Sequence, residues 1–267
     1  MTGTGWSITL GTLTATRADA LATNAAYPAI TLTVDVAPNA PTSVTNSVSV
    51  STAGDTNVLN NTANDITSIT STNTSGGGSY TGILAGWDVS GQTSYGVSPW
   101  AATTNAPKVT VVGLTRGAGV GTNGTAASGG AWGGNGFDAA SETSAVTASD
   151  FATFEITANS GFKMSFSSVS RFDYRRSGSG PATGVLQYRI NTGAFVTFAT
   201  NAYTSSAGSG ATLAAIDLAG FSALQNLGPG TNVTFRIVNY GGAAGGTWYI
   251  YDVVDGAAPD LAISGTV

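Results

Sequence analysis

Residues 231–240 read Thr-Asn-Val-Thr-Phe-Arg-Ile-Val-Asn-Tyr, with Val233, Phe235 and Ile237 on one face and Thr234 and Arg236 on the other. That period of two marks a half-buried strand. Beyond Gly241-Gly-Ala-Ala-Gly-Gly246, the run Thr247–Val254 again supplies Trp248, Ile250 and Val253, aromatic and β-branched bulk that suits a pleated surface. The pair predicts a hairpin closed by the glycine turn, with one dry side.

The same alternation recurs along the whole chain. In the first part it predicts strands over 7–10, 12–16, 30–36, 43–51 and 65–69; Ile30, Leu32, Val34 and Val36 share one parity, and Val44, Val48 and Val50 another. Pro38 and Pro41 bracket the turn between the two best of these. The Ser/Thr/Gly run at 71–79 reads as a linker. Past it, strands are expected over 82–89, 108–114, 152–157, 161–174, 184–191, 195–199, 211–218, 232–240, 248–254 and 261–267. The glycine-rich stretch 117–136 reads as a long surface loop holding Trp132. Residues 221–227 suggest one short helix stopped by Gly228-Pro229-Gly230, while the Ala-rich window 18–26 is a weak helix ending before Pro28. The expectation is therefore all-β: a strand-rich block over 1–70, the linker, and a jelly-roll-like β-sandwich over 80–267.

Two resemblances carry that expectation. Gly5-Trp-Ser, Gly11-Thr-Leu-Thr, Thr16-Arg-Ala-Asp-Ala-Leu21, Tyr27-Pro-Ala-Ile-Thr-Leu-Thr-Val34, Asp55-Thr-Asn and Asn60-Asn-Thr-Ala-Asn-Asp65 resemble the second half of the conserved-repeat Ig-like domain of bacterial surface proteins, which implies an incomplete Ig-like (Greek-key) sandwich over 1–70. The cysteines that the family often has in its opening hairpin are here Ile8 and Ala15, and the strands that normally precede Gly-Trp-Ser are missing. Leu84-Ala-Gly-Trp-Asp-Val89, Gly113-Leu-Thr-Arg-Gly117, Trp132-Gly-Gly, Ser168-Val-Ser-Arg-Phe-Asp-Tyr-Arg-Arg176 and Thr247-Trp-Tyr-Ile-Tyr-Asp-Val253 resemble a jelly-roll module of secreted and surface bacterial proteins. The last phrase is similar to the closing strand of carbohydrate-binding jelly rolls. The resemblance implies acidic residues there near a structural calcium, but Tyr251 replaces one such acid and Asp252 remains.

Composition narrows the chemistry. Of 267 residues 42% are hydrophobic, enough for a real core, yet only 9% are charged, so solubility rests on Thr, Ser, Asn and Gly. A net charge of -5 with nine Lys and Arg gives no basic field for nucleic acid, and no apolar run reaches the ~20 residues of a membrane span. The chain has neither Cys nor His, which excludes thiolate nucleophiles, histidine bases and the usual zinc sites. Glu142 and Glu155 stand in unrelated contexts, so no carboxylate pair is visible and no enzyme is expected.

What remains is a short set of candidates. Asp88, Asp138, Asp173, Asp252 and Asp255 are the carboxylates to consider for calcium, Asp88 and Asp252 foremost, though no dense Asp-x-Asp-x-Asp loop exists. Arg171, Asp173 and Arg175 share a strand face, which reads as a cross-strand ion pair. Trp100 and Trp132, in loop-like text, are the aromatics best placed to stack on a sugar, whereas Trp87 and Trp248 read as core. The run Asp260–Val267 alternates at Leu261, Ile263 and Val267; it can donate a strand to another chain or close its own sheet.

An Ig-like sandwich lacking its first strands exposes apolar surface and unpaired edges, which another chain can cover or, where the module is simply shortened, the second domain of the same chain can close. The expected function is an extracellular structural protein, a bacterial surface stalk segment or fibre subunit that self-associates by strand pairing or donation. The start shows no leader, as in a mature form or a segment. The competing class is a carbohydrate-binding accessory module of a secreted enzyme, with a cell-surface glycan as partner and no cofactor beyond the calcium.

Overall fold

The computed structural model describes residues 1–34, 43–68, 79–124, 128–204, 208–254 and 256–267. It divides into two compact units, Met1–Thr72 and Asn73–Val267, so the division falls at the expected linker. Residues 35–42, with the Pro38–Pro41 turn, and 71–78 of that linker lie outside the described residues.

The first unit holds two separate hairpins. Strand β1 (Ser7–Thr9) pairs antiparallel with β2 (Thr14–Thr16), and β3 (Ser43–Ser49) with β4 (Thr62–Ser68). Where 30–36 was expected as a strand, the described part makes only a bridge between Thr2 and Thr31. No described side chain of this unit is buried; Leu59, Val58, Ile66 and Val48 are all largely exposed. Its largest side-chain assembly is a knot in which Arg17 pairs with Asp19 and lies over the rings of Tyr27 and Trp6, 4.4 and 5.4 Å from their centroids.

The second unit is a two-sheet antiparallel sandwich. In chain order its elements are β5 (Thr81–Trp87), β6 (Thr104–Asn105), β7 (Val109–Arg116), β8 (Ala131–Asn135), helix α1 (Glu142–Ala148), β9 (Phe151–Ala158), β10 (Ser165–Arg176), β11 (Thr183–Ile190), β12 (Val196–Ala202), β13 (Ala211–Thr212), β14 (Ile216–Asp217), β15 (Asn232–Tyr240), β16 (Thr247–Tyr251) and β17 (Leu261–Thr266). One sheet runs β6-β5-β17-β10-β16-β8, with β13 and β14 also on β10; the other runs β12-β11-β15-β9-β7. The inner faces meet in a single large aromatic-rich core. Trp87 of one sheet lies 4.7 Å from Phe154 of the other, which stacks on Phe235 at 5.1 Å, and Phe166 meets the same Phe235 edge-on at 5.2 Å. Such pairs add about 0.5–1.5 kcal/mol each to the burial of apolar area itself.

Three local expectations are corrected. The runs 231–240 and 247–254 are strands but not a hairpin: β15 pairs with β11 and β9, β16 with β10 and β8, so they belong to opposite sheets. Each has one apolar face, and both faces stay dry when the glycine segment crosses the sandwich edge as an arch. A β-carbon at Gly246 would collide with the carbonyl of Ser179, so the segment has to be this bare. Within the supposed surface loop 117–136 lies β8, whose Gly133 sits against the backbone of Trp248 and Tyr249 too closely for any side chain. Finally, 221–227 supplies only one 3-10 turn at Ser222–Leu224, whereas α1 was not anticipated. Ser141 caps α1 reciprocally with Ser144, and Ser149 closes it in the left-handed region at φ 66°.

Candidate functional site

The aromatic candidates are not presented to a ligand. Trp132 is 1% exposed in β8, and its indole N–H donates to the carbonyl of Val97 at 2.6 Å. The glycines beside it, read as loop signals, let β8 lie tight against β16 and turn the indole inward. Trp100 is half-buried: its backbone exchanges two 2.8 Å hydrogen bonds with Leu114, and its ring packs on the core. Trp87 and Trp248 are fully buried. Above the Trp132 ring, at 4.7 Å, sits the guanidinium of Arg116, which donates to the carbonyls of Gly133 (2.6 Å), Gly96 (2.8 Å) and Tyr95. Burial pushes its pKa down to about 10, so this cation is a tie between loop 95–96 and β8.

Asp88 and Asp252 lie at the same end of the sandwich as Asp173 and Asp260. Asp88 Oδ1 accepts from Ser90 N–H at 2.9 Å, Asp260 Oδ2 accepts from Val89 N–H at 2.8 Å, and Asp173 receives Arg171 at 2.6 Å. The pair lies within β10, two residues apart, and not across strands as expected; Asp173 is fully buried while Arg171 is 37% exposed. Asp260 is 2% exposed, and burial, reinforced by the charges of Asp252, Asp173 and Asp88, pushes its carboxyl up to about 6. The four carboxylates thus feel one another, yet among the described residues no three acidic side chains converge at metal-binding distance. The set does not fit a calcium cage. Asp138 raises the pKa of buried Asp150, after burial itself; Asp255 lies outside the described residues.

The three assembly candidates are also internal. β17 runs between β5 and β10, with Leu261 1%, Ile263 1% and Val267 8% exposed. Of the two roles open to the C-terminal run, β17 here closes its own sheet.

A site that sequence reasoning missed stands on the outward face of the five-stranded sheet. There Gln187 is opposite Arg236, which is opposite Thr153; one step along, Arg189, Thr234 and Glu155 line up across three strands, and beyond them Asn232 and Thr157. Arg236 donates through Nε and Nη2 to Gln187 Oε1 at 2.8 and 2.5 Å, and Gln187 Nε2 donates to Glu142 Oε1 at 2.6 Å. An amide thus bridges a cation and an anion that do not touch. Asn232 Nδ2 donates to Glu155 Oε2 at 3.0 Å and Thr234 Oγ1 to Glu155 Oε1 at 3.2 Å. Phe195, from the loop before β12, lies within cation–π distance of both guanidinium groups, its ring centre 3.6 Å from that of Arg236 and 4.9 Å from that of Arg189. Burial lowers the Arg236 pKa, Glu142 opposes that and Arg189 adds to it. Glu142 and Glu155, unrelated in sequence, therefore border one surface. The signal was available as the outward parity of 187, 189, 234, 236 and 155, but which strands are neighbours was not.

The chain matches no family model, no characterised protein and no solved structure.

Proposed function

We propose that the chain is an extracellular structural module, a surface stalk segment or filament subunit, whose first unit pairs with another copy through the β3–β4 hairpin. The observation that carries this reading is the state of that hairpin. Both strands run seven residues, all of them exposed, and among the described residues each is paired only with the other. Natural edge strands are protected by charge, proline or cover; β3 has no charged residue and no proline, and β4 has Asp65 alone. Val44 and Val48 lie on one face of β3, so a second β3 edge laid alongside adds ladder bonds and covers apolar side chains together. The uncharged Thr/Ser/Asn surface fits a protein displayed outside the cell. Glycan binding through Trp100 and Trp132 has lost its platform.

The test is sedimentation or light scattering across concentration, with electron microscopy, on the chain and on Val44→Lys/Val48→Lys. Polymers or dimers that vanish in the variant, while the sandwich keeps its melting temperature, are the expected result. A chain that stays monomeric up to millimolar concentration refutes the reading. Deleting 260–267 cannot serve here, because it removes a core strand.

A further inference from the structure

We propose that the outward face of the five-stranded sheet binds a carboxylate-bearing saccharide, with Arg189 and Arg236 as the fork that takes the carboxylate. This stands apart from strand pairing, since every residue involved is in the second unit.

Three observations carry it. Neither arginine makes an ion pair: the ion pairs among the described residues are Arg17–Asp19 and Arg171–Asp173. Arg236 spends two N–H groups on one amide oxygen and Arg189 spends one, a long 3.4 Å bond to Thr234 Oγ1. A guanidinium has five donors, so most of those on both side chains are unassigned. The two like charges nevertheless share one aromatic neighbour, Phe195, at 4.9 and 3.6 Å from the ring centre, and Arg189 lowers the Arg236 pKa. An anion between them removes that repulsion, and planar bidentate pairing with carboxylate is what guanidinium does best.

The neighbours select the rest of the ligand. Glu155 and Glu142 border the same surface, and carboxylates there repel a purely anionic partner such as an acidic peptide. They welcome a ligand that combines one carboxylate with several hydroxyl donors, which is the chemistry of a sugar acid. Asn232 and Thr157, half-buried and tied to Glu155 in one hydrogen-bonded row, offer further donors and acceptors. Strands about 5 Å apart repeat these groups at roughly the spacing of one sugar ring.

The experiment is calorimetric titration of the full chain with polygalacturonate, with a neutral galactan and poly-glutamate as comparisons, at low and physiological salt. The variants are Arg189→Gln, Arg236→Gln and, as an equal change of charge elsewhere, Arg175→Gln. Saturable binding of the uronate polymer is expected, absent for the galactan and much weaker for poly-glutamate, and loosened about tenfold or more in Arg189→Gln but not in Arg175→Gln. Arg236→Gln also breaks the link to Gln187; should it not fold, Arg189→Gln decides. No binding of the uronate polymer, equal binding of poly-glutamate, or equal loss in Arg175→Gln overturns the proposal.

Discussion

Replacing Asp260 by Asn alters how stability depends on pH, and the sign follows from the structure. Asp260 is held at a buried turn between Trp87 and Asp173: its N–H donates to Trp87 O, its carbonyl accepts from Asp173 N–H, and its Oδ2 accepts from Val89 N–H. Burial pushes its pKa from 3.8 to about 6, opposed first by the Val89 hydrogen bond and then reinforced by the charges of Asp252, Asp173 and Asp88. The folded state therefore holds this proton where the unfolded chain has released it. Its stabilising contribution is fully present below about pH 4 and is lost as pH rises through about 6. At about 1.4 kcal/mol per tenfold change in proton affinity, the whole effect is at most ~3 kcal/mol, and partial screening leaves ~1–3 kcal/mol. Asn keeps an oxygen for Val89 and brings no charge. Asp260→Asn is thus expected to be at least as stable as the parent at pH 7.5 and to lack the fall in stability between pH 4.5 and 7. Urea denaturation followed by the fluorescence of buried Trp87 and Trp248, at half-unit pH steps, measures both curves. Asp150, whose pKa is also raised, contributes to both alike, while Asp19 and Asp55 are lowered and titrate below the window. A parent curve that rises from pH 5 to 7, or two parallel curves, refutes the reasoning.

Three further changes probe the sandwich. Phe235→Ala removes the ring on which Phe154 and Phe166 converge and should cost about 3–5 kcal/mol in chemical denaturation; a loss under 1 kcal/mol would mean the core closes around the gap. Gly133→Ala drives a methyl into the Trp248 carbonyl, so β8 should peel from β16 and a large drop in melting temperature should follow; an unchanged melting temperature would contradict the register Gly133–Tyr249. Arg116→Met strips buried carbonyls of a charged donor and should destabilise by about 2–3 kcal/mol. Near-neutral behaviour in thermal denaturation would show that water replaces the guanidinium.

Period-two patterning placed most strands of the second unit within a few residues, because a strand with one dry face must alternate. It did not reveal their partners. β15 and β16, adjacent in sequence with a glycine turn between, satisfied every local rule for a hairpin and yet pack across the core. Ladder pairing and facing across a sandwich demand the same alternation. β8 was hidden by its own glycines: Gly133 and Gly134 are there because backbones approach closely, a tertiary fact that locally looks like a loop. α1 was missed because its cap uses Ser144 where the familiar signature has Glu or Gln. The polar face shows the limit most clearly. Gln187, Arg236 and Glu142 are far apart in sequence and meet only once β11, β15 and α1 have docked.

The two units solve the same physical problem in different ways. The second withdraws large aromatic and aliphatic side chains from water between two sheets, and burial at about 25 cal/mol per Å² can offset the entropy of ordering a chain of that length. In the first, the knot of Arg17, Asp19, Trp6 and Tyr27 is surface-exposed on one side, and exposed ion pairs and cation–π contacts contribute about 1 kcal/mol or less each. The β3–β4 hairpin adds no buried side chain, and an isolated two-stranded hairpin is marginal in water. A hairpin of this length that is neither charged against pairing nor covered gains most from a further strand, since each added ladder bond and each covered valine acts on a backbone already ordered by its neighbour. The asymmetry between a self-sufficient sandwich and a hairpin that lacks a partner is the physical reason to look for assembly at β3 rather than at the buried C-terminal strand.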